Sequence, residues 1–362
     1  MVGRGTTVGT FALGGRLFLV GNEAHSSYGV PDRIDNRGTD WRAASGGRVK
    51  QRVSRRPSLD GRFEMRARLA VMRIASLVGL FLLFSSGVLA QEAAPVTVSH
   101  ARQYDFTSKI NGRIYRIFVA TPRIADSGTA HPVVYVLDGN WYFAASVMRA
   151  EEVAREGGSP AIVVGIGYPT DDYAVISTRR QLELTISATS PGRAPGQYGG
   201  GDGFLRVMEE EVKPLVAARY KIDSTRQALY GKSLGGLMVL RQLFRNSAAY
   251  STYIAASPSI WWNDNEVLGD EAAFAKRAKT GESKVRLLLT SAGDEQYRGD
   301  DAKLLAADGN RRMVDNVSDL ADRLARLNSP KVTVARAMFP DETHVSVSLA
   351  SLARALTFAL KP

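Results

Sequence analysis

The sequence contains no cysteine. This absence excludes disulfide bonds, thiolate metal sites, a cysteine nucleophile and a lipidated N-terminal cysteine. Histidine is scarce as well, with four residues at positions 25, 100, 131 and 344 and no H-E-x-x-H motif. We therefore expect no dedicated metal site, and no cofactor is implied.

Acidic residues are scarce only in the N-terminal part of the chain. The whole sequence has 47 Lys and Arg against 36 Asp and Glu, a formal net charge of +11. Residues 1–90 hold 14 of the basic and 6 of the acidic residues, so the 272 residues that follow carry a net charge of only +3. Because a surface that binds nucleic acid needs its positive charge on the folded domain, we expect no nucleic-acid partner.

A regular hydrophobic pattern is missing from residues 1–64, which are rich in Gly, Arg and Ser. We expect this stretch to be disordered, or to be an upstream extension that is not native. Residues 65–90 have the features of a secretory signal peptide: basic residues, an apolar run at 74–84 and a small-residue cleavage site before Gln91. The apolar run is shorter than the about 20 residues of a spanning helix. These features predict an exported, periplasmic bacterial protein, with an uncleaved anchor as the alternative.

Strands and helices alternate from Gln91 onward, which predicts a single α/β domain over residues 91–362. Residues 104–107 and 113–119 alternate in polarity and read as early antiparallel strands. Residues 133–137 and 161–166 are continuously apolar, as expected of strands buried on both faces of a sheet. Later strands are predicted at 253–256, 285–290 and 332–339, and helices at 313–327 and 346–360.

A long polar stretch, residues 168–203, interrupts this alternation. A loop of that length in a compact domain usually covers a site, and disorder is the alternative. The apolar spacing after it predicts a helix over residues 204–216 that is interrupted near Pro214.

The only G-x-S-x-G motif of the chain is centred on Ser233 and flanked by Gly231 and Gly235. It follows the apolar run 228–230 and precedes a helical pattern at 237–244. A serine at a strand-to-helix turn is exposed for attack, and the first amides of the helix point toward it. We therefore predict that Ser233 is a nucleophile, with a serine that merely caps the helix as the alternative.

A serine nucleophile needs a base and a group that orients the base. His344 is the only histidine after Ser233, and it lies between the last predicted strand and the last helix. It is therefore the expected general base. Asp294 and Glu295 follow the 285–290 strand, where the acid of a triad is expected. Glu295 is favoured over Asp294 for this role, and a Ser-His dyad without an acid stays open.

The oxyanion hole is expected to use the amides of Leu234 and Gly139. Gly139 follows a buried strand, where glycine lets the backbone approach a substrate, although an ordinary turn is the alternative. Six further residues are predicted to bind substrate through aromatic surface, positive charge or position beside this loop: Asn140, Trp141, Arg180, Lys232, Trp261 and Trp262. Buried packing is the alternative for the two adjacent tryptophans.

Over residues 100–360 the sequence resembles the putative-esterase branch of the α/β-hydrolases. It is most similar to the bacterial siderophore trilactone esterases and more distantly similar to formylglutathione hydrolases. The matching segments are 133–140, 164–168, 231–237 and 257–263, together with the surroundings of Glu295 and His344.

This resemblance implies an α/β-hydrolase fold with a mostly parallel central sheet flanked by helices. It also implies Ser233 as nucleophile, His344 as base and Glu295 as acid. Two features depart from the family pattern: Lys232 stands where the family usually has histidine, and residues 180–185 match its Arg-x-x-Asp-Leu-Thr-Pro stretch only loosely.

The expected function is that of an exported serine esterase that hydrolyses a small-molecule carboxylic ester through an acyl-enzyme. A siderophore trilactone, free or iron-bound, or a related aryl ester is the substrate that the resemblance implies. An acyltransferase of the same fold and a non-catalytic ligand-binding protein are the alternatives. No stable membrane anchor is expected after signal cleavage.

Overall fold

The computed structural model describes residues 65–66, 68–74, 93, 95–123, 128–187, 196–297, 299 and 311–361. The chain divides into two units, residues 1–91 and 92–362. In the first unit, residues 65–66 and 68–74 are helical and exposed. Residues 1–64, most of the predicted apolar run and the predicted cleavage site lie outside the described residues. No helix in the described part is long and apolar enough to cross a membrane.

The second unit contains one sheet of eight described strands in the order β1-β2-β4-β3-β5-β6-β7-β8. The pairs β1·β2 and β2·β4 are antiparallel, and all other neighbours are parallel. The strands are β1 (Ala101–Thr107), β2 (Ile114–Ala120), β3 (His131–Val136), β4 (Ile162–Gly167), β5 (Ile222–Lys232), β6 (Thr252–Ala256), β7 (Val285–Ala292) and β8 (Val332–Phe339).

Helices follow most of the strands. They are α1 (Gly139–Arg155), α2 (Tyr173–Glu183), α3 (Gly201–Val207), α4 (Lys213–Ala217), α5 (Leu234–Arg245), α6 (Trp262–Asn265), α7 (Glu271–Thr280), α8 (Met313–Ala325) and α9 (Val347–Leu360). A π-helical turn joins α3 to α4 over Met208–Val212, and short 3-10 turns cover Glu266–Asp270 and Gly293–Glu295.

The central strands are apolar throughout because helices cover both faces of the sheet. Val133 and Tyr135 of β3 point into one hydrophobic cluster, whereas Val134 and Val136 point into the other. Residues of α5 and α8 pack in the first cluster, and residues of α1 and α9 pack in the second. The predicted buried strands and the antiparallel start of the sheet are thus confirmed.

The stretch predicted as a long loop contains α2, so that part of the prediction is wrong. The helix begins at the N-cap Asp172, whose side chain accepts hydrogen bonds from the amides of Ala174 and Val175. The helix ends at Glu183, which is fully buried. Its carboxylate accepts hydrogen bonds from Tyr115 and Arg179. Residues 188–195 lie outside the described residues, so both a lid and disorder there stay predictions.

The predicted interruption near Pro214 is present one turn earlier, as the π-helical turn Met208–Val212. Proline has no amide hydrogen, and its ring collides with the carbonyl four residues before it in a regular α-helix. Widening the preceding turn relieves this conflict, and Pro214 then lies at the start of α4.

Candidate active site

Ser233 lies between the end of β5 and the start of α5, in a backbone conformation that serine rarely adopts. Its φ and ψ are 59° and −118°. Neighbouring glycines allow this turn: a Cβ on Gly231 would collide with the backbone of Gly235, and a Cβ on Gly236 would lie 3.0 Å from the carbonyl oxygen of Ala256. The strained turn projects the hydroxyl at the carboxyl edge of the parallel strands.

The structure brings three predicted side chains into one hydrogen-bonded chain. Oγ of Ser233 lies 3.0 Å from Nε2 of His344, and Nδ1 of His344 lies 2.8 Å from Oε1 of Glu295. Because an ionised carboxylate can only accept, Nδ1 donates to Glu295 and Nε2 is left to accept the serine proton. This arrangement suits proton transfer from a hydroxyl to an imidazole.

Glu295, not Asp294, is the carboxylate that faces the imidazole. Its side chain is buried after β7, and Oε2 accepts a hydrogen bond of 2.9 Å from the amide of Ala292. Burial raises the pKa of Glu295, but hydrogen bonds from His344 and Ala292 outweigh burial and lower it overall. Asp294 is exposed, and its amide donates to the carbonyl of Glu342.

Leu234 and Gly139, the predicted oxyanion donors, are the first residues of α5 and α1. The first amides of a helix have no acceptor inside that helix, so both are available to a developing negative charge. Asp138 turns the chain into α1 with φ 56° and ψ 44°. A Cβ on Gly139 would lie 2.7 Å from the backbone of Gly165 and of Ile166, so only glycine fits here.

Arg180 and Lys232 are the two cations predicted to bind substrate, and both lie next to the serine turn. Nε of Arg180 donates to Oδ1 of Asp138 at 2.8 Å, and its terminal nitrogen donates to the carbonyl of Lys232 at 3.2 Å. Lys232 is only 6% exposed. Burial lowers the pKa of Lys232 to about 8, against the opposing effect of Glu295 and together with the charge of Arg180. Arg180 is thus paired with Asp138 and Lys232 is buried, and a substrate contact by either cation stays a prediction.

Asn140 and Trp141 extend from the same loop into the first turn of α1. The Asn140 carboxamide donates to the carbonyls of Tyr168 and Thr170 and accepts from the amide of Tyr168. These bonds fix the segment after β4, and a direct substrate contact by Asn140 stays a prediction. Trp141 is partly exposed and stacks on Tyr173 with ring centres 5.5 Å apart.

Only one of the two adjacent tryptophans lines the cavity at the nucleophile. Trp261 borders a cavity that is also lined by Ser233 and His344. Trp262 is 2% exposed and packs against Tyr198, with ring centres 5.3 Å apart. Trp262 thus packs in the hydrophobic core, as the alternative of buried packing describes, and its contact with substrate stays a prediction.

Sequence reasoning missed three residues of this cavity: Ser259, Arg311 and Met313. Ser259 Oγ lies 3.4 Å from Ser233 Oγ. Arg311 and Met313 come from the start of α8, where no sequence motif marks a link to the serine turn. The described residues contain no group of three or more His, Asp or Glu that could hold a metal ion.

A mostly parallel sheet with a serine at the strained strand-to-helix turn after β5 defines an α/β-hydrolase fold. The model of the putative-esterase family matches residues 108–322, and the chain belongs to that family of ester-hydrolysing enzymes. The resemblance seen in the sequence is confirmed.

Two curated relatives and one solved structure show how similar the family members are. The ferri-bacillibactin esterase BesA of Bacillus subtilis (strain 168) is 34% identical over 265 residues, 71% of this chain and 88% of that protein. The siderophore triacetylfusarinine C esterase of Aspergillus fumigatus is 32% identical over 289 residues, 74% of this chain and 96% of that protein. The BES protein from Bacillus cereus superposes with a TM-score of 0.67 at 30% identity, covering 75% of this chain and 100% of that one.

Proposed function

We propose that this chain is an exported serine esterase that uses Ser233, His344 and Glu295 as a catalytic triad. The observation that carries the proposal is the hydrogen-bonded chain of 3.0 Å and 2.8 Å that joins the three side chains. Two further features support it: the strained geometry of the serine turn and the amides at the starts of α1 and α5.

The reaction follows from this geometry. Ser233 Oγ attacks the ester carbonyl as His344 Nε2 takes the hydroxyl proton, and Glu295 stabilises the imidazolium. The amides of Gly139 and Leu234 bind the oxyanion of the tetrahedral intermediate. When the intermediate collapses, the carbon–oxygen bond to the leaving alcohol breaks and His344 returns the proton to that alcohol. Water, activated by the same imidazole, then releases the acid from the acyl-enzyme.

For the substrate we propose a siderophore trilactone or a related aryl ester. The support comes from the relatives, which are named as esterases of ferri-bacillibactin and of triacetylfusarinine C. The half-buried Trp261 beside Ser233 is consistent with an aromatic acyl group, because an indole stacks well on other rings.

Export is proposed from the sequence of residues 65–90 alone. Expression of the full chain in a Gram-negative host, followed by fractionation and N-terminal sequencing, tests it. We expect periplasmic protein that begins at Gln91. A product that stays in the cytoplasm with residues 65–90 attached would contradict export without affecting the esterase proposal.

The esterase proposal is tested by a hydrolysis screen of the purified protein. Ferric and iron-free catecholate trilactones are compared with 4-nitrophenyl esters, and products are separated by chromatography. We expect turnover that disappears in Ser233→Ala and in His344→Ala. Turnover should persist in His100→Ala, because His100 is exposed and distant in sequence from the three triad residues. Equal residual turnover in all three variants would contradict the proposal. Adding an alcohol acceptor to the assay separates hydrolysis from acyl transfer.

A further inference from the structure

Arg311 and Trp261 meet at the cavity that contains the nucleophile. The guanidinium carbon of Arg311 lies 5.0 Å from the centre of the Trp261 ring, and both side chains line the same cavity as Ser233 and His344. Trp261 follows β6, whereas Arg311 precedes α8. Two separate segments therefore form one wall of the cavity, in which the guanidinium of Arg311 packs over the indole of Trp261.

The charge of Arg311 is not neutralised by any carboxylate among the described residues. Glu295 lines the same cavity, but it is 2.8 Å from His344 and serves the imidazole. Arg180 is the contrasting case, because its guanidinium forms a 2.8 Å ion pair with the buried Asp138. As far as the described residues show, Arg311 leaves a positive charge at the cavity that a bound molecule can use.

We propose that Arg311, held on the ring of Trp261, is a specificity-determining residue that selects esters whose acyl group is both aromatic and anionic. This inference rests on the proposed function, since it assumes that an ester carbonyl reaches Ser233. A planar guanidinium stacks on aromatic rings and binds a carboxylate or catecholate through parallel N–H donors.

The experiment compares two esters that share a 4-nitrophenol leaving group and an aryl acyl group. One is 4-nitrophenyl benzoate, and the other is the mono-4-nitrophenyl ester of terephthalic acid, which adds a carboxylate to the ring. The quantity measured is the ratio of their kcat/KM values. We expect the wild type to favour the anionic ester, and Arg311→Gln to lower that ratio about tenfold, the size of one favourable charge contact. Arg311→Lys restores part of the ratio because it keeps the charge without the planar fork.

The matched control is Arg312→Gln. Arg312 is the next residue, is about half exposed, and forms ion pairs with Asp315 and Asp319 instead of lining the cavity. The substitution Arg312→Gln removes one positive charge from the same segment, and we expect the ratio of the two kcat/KM values to stay unchanged. A ratio that falls equally in Arg311→Gln and Arg312→Gln would overturn the proposal, as would one that does not change in Arg311→Gln.

A binding measurement separates failure of this inference from failure of the proposed function. Terephthalate, with benzamide as the uncharged comparison, is titrated into the full-length protein, and binding is followed by tryptophan fluorescence. The Trp261→Phe variant shows whether the change in fluorescence comes from Trp261. We expect terephthalate to bind about tenfold more weakly to Arg311→Gln than to the wild type, whether or not either ester is hydrolysed. Equal binding by both proteins would overturn the inference, whereas binding without hydrolysis would contradict only the esterase.

Discussion

Arg180, whose side chain is 16% exposed, forms an ion pair of 2.8 Å with the buried carboxylate of Asp138. The same guanidinium donates to the carbonyl of Lys232, the residue before the nucleophile. Because Asp138 begins the loop that carries Gly139, the pair links both proposed oxyanion donors to helix α2. Arg180 therefore positions the site, and a direct contact of its side chain with substrate stays a prediction.

Breaking this pair is expected to destabilise the fold. Removing one partner leaves the other charge buried, which costs about 3–5 kcal/mol. We expect Arg180→Met and Asp138→Asn each to lower the free energy of unfolding by about 3 kcal/mol in urea titrations, and the double variant to lower it by less than the sum. The control is the exposed pair Arg206–Glu210, where Arg206→Ala should cost well under about 1 kcal/mol. Additive losses at 138 and 180 would show that the two side chains do not depend on each other.

The two neighbouring carboxylates after β7 are expected to behave differently. Glu295→Gln keeps the shape but removes the charge that fixes the imidazole tautomer, so kcat on an aryl ester should fall by about 10³-fold to 10⁴-fold. Asp294→Asn should change kcat by less than about twofold, because Asp294 is exposed and faces away. Steady-state kinetics on 4-nitrophenyl butyrate measure both. Equal losses in the two variants would argue against Glu295 as the orienting acid.

Lys232 is expected to make stability depend on pH in the alkaline range. Its folded pKa of about 8 lies below the ordinary value of 10.5, so between these values the unfolded chain holds a proton that the folded chain has lost. The resulting stability is fully present above about pH 10.5 and is lost as the pH falls through about 8. One pKa unit corresponds to about 1.4 kcal/mol, so the wild type should gain on the order of 2 kcal/mol over Lys232→Met between pH 7 and pH 10.

The measurement for Lys232 is the difference in unfolding free energy between wild type and Lys232→Met at several pH values. Taking the difference removes the titration of all other groups that the two proteins share. Lys221→Met is the matched control, because Lys221 is exposed and donates to a backbone carbonyl. A wild-type advantage that is independent of pH would mean that Lys232 keeps its ordinary pKa in the fold.

The strained backbone of Ser233 predicts an unusual response to glycine. Ser233→Gly and Ser233→Ala both lack the hydroxyl, but only glycine adopts φ 59° and ψ −118° without strain. We expect the glycine variant to be more stable than the alanine variant by about 1 kcal/mol in thermal or urea unfolding. On the exposed face of helix α1, Ala144→Gly should have the opposite sign and cost about 1 kcal/mol. A glycine variant that is the less stable of the two would show that the turn is not strained.

Much of the fold was predictable because its signals are local. Continuous apolar runs gave β3 and β4, since only strands covered on both faces bury every side chain. Gly231 and Ser233 marked the serine turn, because a Cβ at 231 has no room beside the backbone of Gly235. His344 was identifiable as the single histidine downstream of that turn.

Other features depended on packing that one sequence does not reveal. Helix α2 was not predicted, because its buried residue Glu183 is charged and adds nothing to an apolar pattern. In the structure, the carboxylate of Glu183 pairs with Arg179 and Tyr115. Trp261 and Trp262 are adjacent, and only the tertiary structure decides which ring lines the cavity. Arg311 reaches Trp261 across 50 residues of sequence, so no motif joins them.

The central claim is that Ser233 is activated by His344. The most direct test is the rate at which diisopropyl fluorophosphate labels the folded protein, with the modified residue located by peptide mass spectrometry. We expect a single adduct on Ser233, absent in Ser233→Ala and formed at least about 10³-fold more slowly in His344→Ala. An unlabelled Ser233 in folded wild-type protein, or labelling at an unchanged rate in His344→Ala, would contradict it.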